Sequence, residues 1–198
     1  MKTKLIILGC GSSVGVPRID GVWGKSNKKN KKNFRTRCSA LLVRGSNNIL
    51  IDTSPDIRFQ FLKNKIKSIS SVLLTHEHAD QTNGLFELRP FYWKSKKRIN
   101  IYANRKTIKH LKTTFGWLFK KKINYPAIIK SNLVKKKFSL GVKDEKISFE
   151  TVEAKHGPTQ SVVYLFEKAA YISDSNDLSI IKNTKFKKLN FLIIDCLK

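Results

Sequence analysis

The chain has 198 residues, enough for one domain with a single core. Hydrophobic residues make up 40% of it, which excludes a disordered chain, and no apolar run approaches the roughly 20 residues that a membrane helix needs. The net charge of +26 rests on 32 Lys against only 8 Arg; base and phosphate recognition lean on Arg, so the charge reads first as a compositional bias on solvated faces, one that still attracts polyanions non-specifically.

The opening MKTKLIILGCG has a basic start and a short apolar run, but Leu5 to Leu8 is too short for the core of a signal peptide and ends in glycine. A first strand over residues 4–8 is expected instead, and a cytoplasmic protein. The glycine- and serine-rich stretch 9–18 that follows reads either as an anion-binding nest of backbone amides or as a sharp exit from the strand. It is not a phosphate loop, because no Gly-Lys-Ser/Thr closes it. Residues 24–33 (GKSNKKNKKN) form a basic, low-complexity segment, expected as an exposed flexible loop. Cys10, Cys38 and Cys196 are isolated, with no CxxC pair, and are expected to be buried structural thiols.

Two strand-like runs, CSALLVR and NILIDT, flank Gly45-Ser46-Asn47-Asn48 and predict a hairpin. Pro55 then stands where a helix can start, and IRFQFLKNKI carries apolar residues at helical spacing. Asp52, at the end of the second run, is read as a cap, with a supporting carboxylate behind a metal site as the alternative. Val72 to Thr75 lead into His76, His78 and Asp80, after which a short helix through Leu85 to Arg89 is expected to stop at Pro90. A strand over 99–104 and a helical segment over 106–119 follow; His110, set among lysines on that segment, is assigned to a solvated face. Residues 128–174 read as β-rich, with a hairpin about Glu167-Lys168, His156 ending one run before Gly157-Pro158, and Asp174 ending another. DLSIIKN is read as a short helix, and FLIIDC (191–196) as a continuous apolar strand of the kind buried on both faces.

Histidines at i and i+2 just beyond a strand can point both imidazoles at one point, a start on the three protein ligands of a catalytic zinc site. His156 supplies a third if the sheet brings these strand ends together. Asp80 and Asp174 are hard oxygen donors suited to a second cation or to bridging two. The competing reading makes Asp80 a helix cap and the histidines surface loop residues.

The segment THEHADQTNGLFELRPF resembles the signature THxHxDHxxGxxxLRPF of the metallo-β-lactamase fold, in its PhnP-like phosphodiesterase branch, typified by an enzyme that opens phosphoribosyl 1,2-cyclic phosphate. LGCGSSVGVPR, RTRCSALLV, ILIDTSPDIR, AKHGPTQSVVYLF, AYISDSNDL and LIIDCLK fall in that family's order, so the resemblance runs from residue 4 to the last. It implies a mixed α/β fold, an αββα sandwich formed by one domain over 1–198 with its last elements missing, and metals held at strand edges between two sheets. It also implies that His76, His78 and His156 form the first metal site, that Asp174 bridges to a second, and that Asp80 is a second-site ligand and a partner of the attacking water.

Two departures bear on the second site. The motif's further histidine is Gln81 here, and a neutral amide oxygen is a poor substitute for imidazole on zinc. The family also continues past the strand matching FLIIDC with a His-Pro-Thr-His segment, a helix and a last ligating histidine, all beyond Lys198. The expectation is therefore a metal-dependent hydrolase of small phosphodiesters, such as a cyclic phosphate, with zinc (or manganese) at one site and an impaired second site. A catalytically inactive remnant and a tRNA-processing nuclease of the same superfamily are the alternatives. No membrane partner is expected, and the oligomeric state is left open.

Overall fold

A computed structural model describes residues 1–195 of the chain. Two sheets lie face to face. The first contains β1 (Lys4–Gly9), β2 (Ser39–Arg44), β3 (Asn47–Ile51), β4 (Ser71–Leu73), β5 (Ile99–Ala103) and β6 (Ile129–Leu133), side by side in chain order. The second contains β7 (Lys137–Leu140), β8 (Ile147–His156), β9 (Thr159–Phe166), β10 (Ala169–Ile172) and β11 (Phe191–Ile194), in the order β11-β10-β9-β8-β7. The β2–β3 hairpin turns on Gly45 and Ser46, with Arg44 paired to Asn47, and Gly45 takes the left-handed conformation (φ 58°) that such two-residue turns demand.

From β3 to β6 the first sheet is parallel, so each step needs a crossover. The crossovers carry α1 (Ile57–Lys63), then α2 (Ala79–Thr82) and α3 (Arg89–Ser95), then α4 (Arg105–Thr114) and α5 (Gly116–Phe119). Strand alternation assigns the two faces. Leu41, Leu50 and Val72 point to the helices and pack with Ile57, Phe61, Leu85, Leu88 and Leu111. Their neighbours Ala40, Leu42, Ile49, Ile51 and Leu73 point the other way, onto Phe149, Val162, Tyr164 and Phe166 of the second sheet. The outer face of that sheet (Val163, Leu165, Ile172) is covered by the 3-10 segments Leu178–Lys182 and Thr184–Phe186, through Ile180 and Phe186, and by Leu189. The order is helices, sheet, sheet, short turns, the mixed α/β sandwich that the sequence led us to expect.

Three local expectations are corrected. Pro90 does not stop a helix: it lies in the first turn of α3, where a missing N–H costs nothing. The strand over Phe191–Ile194 is not buried on both faces. It pairs parallel to β10 at the sheet edge, and Phe191 and Leu192 are 69% and 44% exposed; place in the sheet, rather than apolar content, decides burial. Cys10 is exposed and Cys38 half-buried, while Cys196 lies outside the described residues. Residues 24–33 are largely exposed. Among the described residues, no helix is long and apolar enough to cross a membrane.

Candidate metal centre

The centre is built where the two sheets meet at one end. Beyond β4 the chain is pinned to the opposite sheet: the Tyr164 hydroxyl donates to the Leu74 carbonyl (2.7 Å), and the Val162 N–H to the Thr75 carbonyl (2.8 Å). This holds the next residue, His76, 0% exposed at the inter-sheet boundary. His78 leads into α2, and His156 ends β8 just before a turn in which Gly157 is left-handed (φ 55°). One ring nitrogen from each of the three histidines lies within 4.8 Å of the others. The ring centroids are 4.5, 5.0 and 4.9 Å apart, edge to face, and His156 Nε2 lies 3.2 Å from His78 Nδ1.

His76 is oriented from behind. Asp52, the residue after β3, lies in the left-handed region (φ 59°), fully buried, and its carboxylate accepts the Thr75 N–H (2.8 Å) and the Thr75 hydroxyl (3.0 and 3.1 Å). That hydroxyl has one hydrogen. Burial pushes the Asp52 carboxyl well up, against the Thr75 bonds that favour its ionised form; in that form it takes the hydroxyl hydrogen, which leaves Oγ1 to accept from His76 Nδ1 at 3.1 Å and Nε2 with its lone pair. Burial, then His78 and His156, push the imidazole of His76 down to about 3, so it is neutral at physiological pH, as ligation requires. His156 is lowered too, first by burial and then by His78. Asp52 is thus no helix cap. The Asp56 side chain, at the actual N-cap of α1, makes no capping bond either; it is engaged by Arg37.

Asp174, two residues past β10, brings Oδ2 to 3.3 Å from His76 Nε2, outside hydrogen-bond alignment, so that nitrogen stays buried without a partner. Burial, then the charges of Asp80 and Asp195, push the Asp174 carboxyl up to about 7. Asp80, in the first turn of α2, joins the centre through its neighbour: Gln81 Nε2 donates to Asp80 Oδ2 (3.0 Å) and to Asp174 Oδ2 (3.3 Å). His110 is exposed on α4, away from the centre.

The sequence reading missed three contributors: Thr75, Glu77 and Asp195. Glu77 sits between the two loop histidines and faces outward from them. It accepts from Thr159 Oγ1 (2.6 Å) on β9 and Thr107 Oγ1 (3.4 Å) on α4, and pairs with Lys106 (2.7 Å). Burial alone would push its carboxyl up; the Lys106 and Thr159 bonds outweigh this and hold it at about 2. The only hint in the sequence was an acid placed between two histidines, which suggests a ligand as readily as a brace. Asp195 follows β11, and only the parallel pairing of that strand with β10 brings it to Asp174.

These groups fit a borderline divalent cation. Three imidazoles converge, two of them held in the neutral form, and the buried Nε2 of His76 has no protein partner. Such donors suit zinc, and a neighbouring carboxylate completes a four-donor set.

A family profile described as "Beta-lactamase superfamily domain" matches residues 47–197. A crystal structure of a diphosphatase from the PhnP family is 30% identical, with a TM-score of 0.77 over 96% of this chain and 73% of that one. Zinc-bound PqqB from Methylobacterium extorquens is 17% identical, with a TM-score of 0.72 over 98% of this chain and 72% of that one, and shares the fold. An octanoyltransferase of Porphyromonas gingivalis (strain ATCC BAA-308 / W83) is 29% identical over 196 residues, which are 98% of this chain and 39% of that protein. The chain thus spans about two fifths of the length of this curated relative.

Proposed function

Since this chain belongs to the beta-lactamase superfamily, we propose that it is a metal-dependent hydrolase of small phosphodiesters or diphosphates. The observation that carries this reading is the meeting of His76, His78 and His156, with the buried Nε2 of His76 left free of any hydrogen bond. The 30% identity to a diphosphatase of the PhnP family supports phosphoryl esters as the substrate class.

His76, His78 and His156 would hold the cation, with Asp174 as the fourth donor. A divalent cation held there would supply Lewis acidity toward a phosphoryl oxygen and would lower the pKa of a water from about 15.7 to about 7. Asp80 binds Gln81 through Oδ2, which leaves Oδ1 to take a proton from an attacking water. Thr75 and Asp52 keep Nε2 of His76 unprotonated. Octanoyl transfer, the activity in one relative's name, gains no support from Cys38: burial pushes its thiol up to about 12, and its proton is donated to the Gly11 carbonyl.

Elemental analysis of protein expressed with zinc or manganese, together with hydrolysis of bis(p-nitrophenyl) phosphate, tests the reading. About one equivalent of metal and an activity abolished by His78→Ala are expected. Metal-free protein, or activity that survives His78→Ala, overturns it. The net charge of +26 favours a second reading, a nuclease acting on a structured RNA. Cleavage of precursor tRNA in preference to the small diester would move the assignment there. Stoichiometric metal with neither activity would leave a non-catalytic protein.

A further inference from the structure

Two carboxylates, Asp80 and Asp174, face one another beside the histidine cluster, and what lies between them is the side chain of Gln81. Like charges that share a partly buried site need a proton or a cation between them. Here the space holds an amide NH2, whose two hydrogens match the two acceptors at 3.0 and 3.3 Å. The orientation of the amide is fixed by the same contacts. Turned over, its two hydrogens would point to where the amide oxygen now finds no partner, and both acids would lose their donor.

Gln81 is 1% exposed and firmly rooted. Its carbonyl accepts from the Thr53 N–H (2.7 Å) and the Thr53 hydroxyl (3.2 Å), and its own N–H donates to the His78 carbonyl (3.1 Å). Its side-chain oxygen is buried with no partner at all. A buried amide that leaves its oxygen unsatisfied while spending both hydrogens on carboxylates is positioned for those carboxylates, not for its own hydrogen bonding.

We propose that the Gln81 carboxamide stands where a second cation would sit, bridging Asp80 to Asp174 and limiting the centre to one metal ion per chain. An amide nitrogen has no lone pair to give a metal, and it engages the Oδ2 atom of both acids, so a second cation must first displace a buried, doubly anchored side chain. The same bridge holds Asp174 Oδ2 at 3.3 Å from His76 Nε2, the position from which it can complete the histidine set. Gln81 is therefore a positioning residue that fixes the metal count. The inference rests on the reading of the three histidines as a metal site.

The test is the zinc stoichiometry of the full chain, stripped with chelator, titrated with zinc chloride and measured by elemental analysis after gel filtration. The wild type should plateau at one equivalent and Gln81→His at two. Gln81→Leu should keep one equivalent but bind it about 10- to 100-fold more weakly, the usual effect of losing a group that orients a ligand. Two equivalents on the wild type overturn this inference and leave the hydrolase reading standing. No zinc on the wild type overturns both. One equivalent on a folded Gln81→His protein, or unchanged affinity in Gln81→Leu, also overturns it; if Gln81→His does not fold, the wild-type plateau and Gln81→Leu still decide.

Discussion

Asp52 sets the tautomer of His76 without touching it: the single hydroxyl of Thr75 lies between them, 3.0 Å from the carboxylate and 3.1 Å from Nδ1. Thr75→Val keeps the shape and removes the hydroxyl. Zinc affinity is expected to fall about 10- to 100-fold, with a stability loss of about 1–3 kcal/mol from a buried acid deprived of a donor. Thr75→Ser should restore most of both. Competition titration with a chromophoric chelator and urea unfolding of the metal-free protein give the two readouts.

Glu77 braces the loop that carries His76 and His78 against α4 and β9, and its folded-state pKa of about 2 lies below its ordinary 4.5. A depressed carboxyl contributes stability above its unfolded pKa and loses it as pH falls towards the folded one. The stability gap between metal-free wild type and Glu77→Gln should therefore be full at pH 7 and close progressively below about pH 4.5. Urea midpoints across that range measure it; a gap independent of pH would show that the charge of Glu77 is not what holds the loop.

The loops after β3 and β4 interlock at Gly84, whose N–H donates to the Thr53 carbonyl (2.8 Å). A Cβ here would overlap the Ser54 carbonyl oxygen and come within 2.8 Å of Ile57 Cγ2. Gly84→Ala should cost about 1–3 kcal/mol, as overpacking does, and should weaken zinc binding as well, because the displaced backbone supports Gln81. Urea unfolding and zinc titration on one preparation report both.

Arg37 and Asp56 form a two-pronged pair (2.9 and 2.6 Å), reinforced by the Arg37 N–H (2.9 Å), that ties the segment before β2 to α1. Arg37→Lys cannot reproduce the fork and should destabilise by about 1 kcal/mol. The hydrogen bond from Arg37 holds the Asp56 carboxyl below its usual range, so the difference should be present at neutral pH and fade in acid as the folded carboxyl protonates. Thermal melts at pH 7 and in acid would show this.

What could be read from the sequence divides along physical lines. His76 and His78 stood out because strand, turn and ligand spacing are local, and His156 because a strand end next to Gly157 is local too. That all three meet depended on the docking of two sheets, which only the resemblance to a known fold supplied. Asp52 was misread because its partner Thr75 is 23 residues away, just past the neighbouring strand β4, whereas Pro55 and a helix lay next door. Gln81 was legible as a missing imidazole but not as a bridge, since of the two acids it joins one lies in α2 and the other 93 residues away, beyond β10. The edge position of β11 was hidden for the same reason: the run FLII reports apolarity, not the number of neighbours a strand will have.

On the proposed metal reading, the division of the centre between the sheets would tie ion occupancy to the fate of the whole molecule. His76 and His78 come from the end of one sheet and His156 and Asp174 from the end of the other, so an ion gripping both recognises only the docked pair and has nothing comparable to hold in the unfolded chain. Free zinc at a thousand times its dissociation constant would then add about 4 kcal/mol to the folded state, comparable to the whole margin of many small domains. The lifetime of such a protein in a cell would follow the supply of metal as closely as it follows temperature.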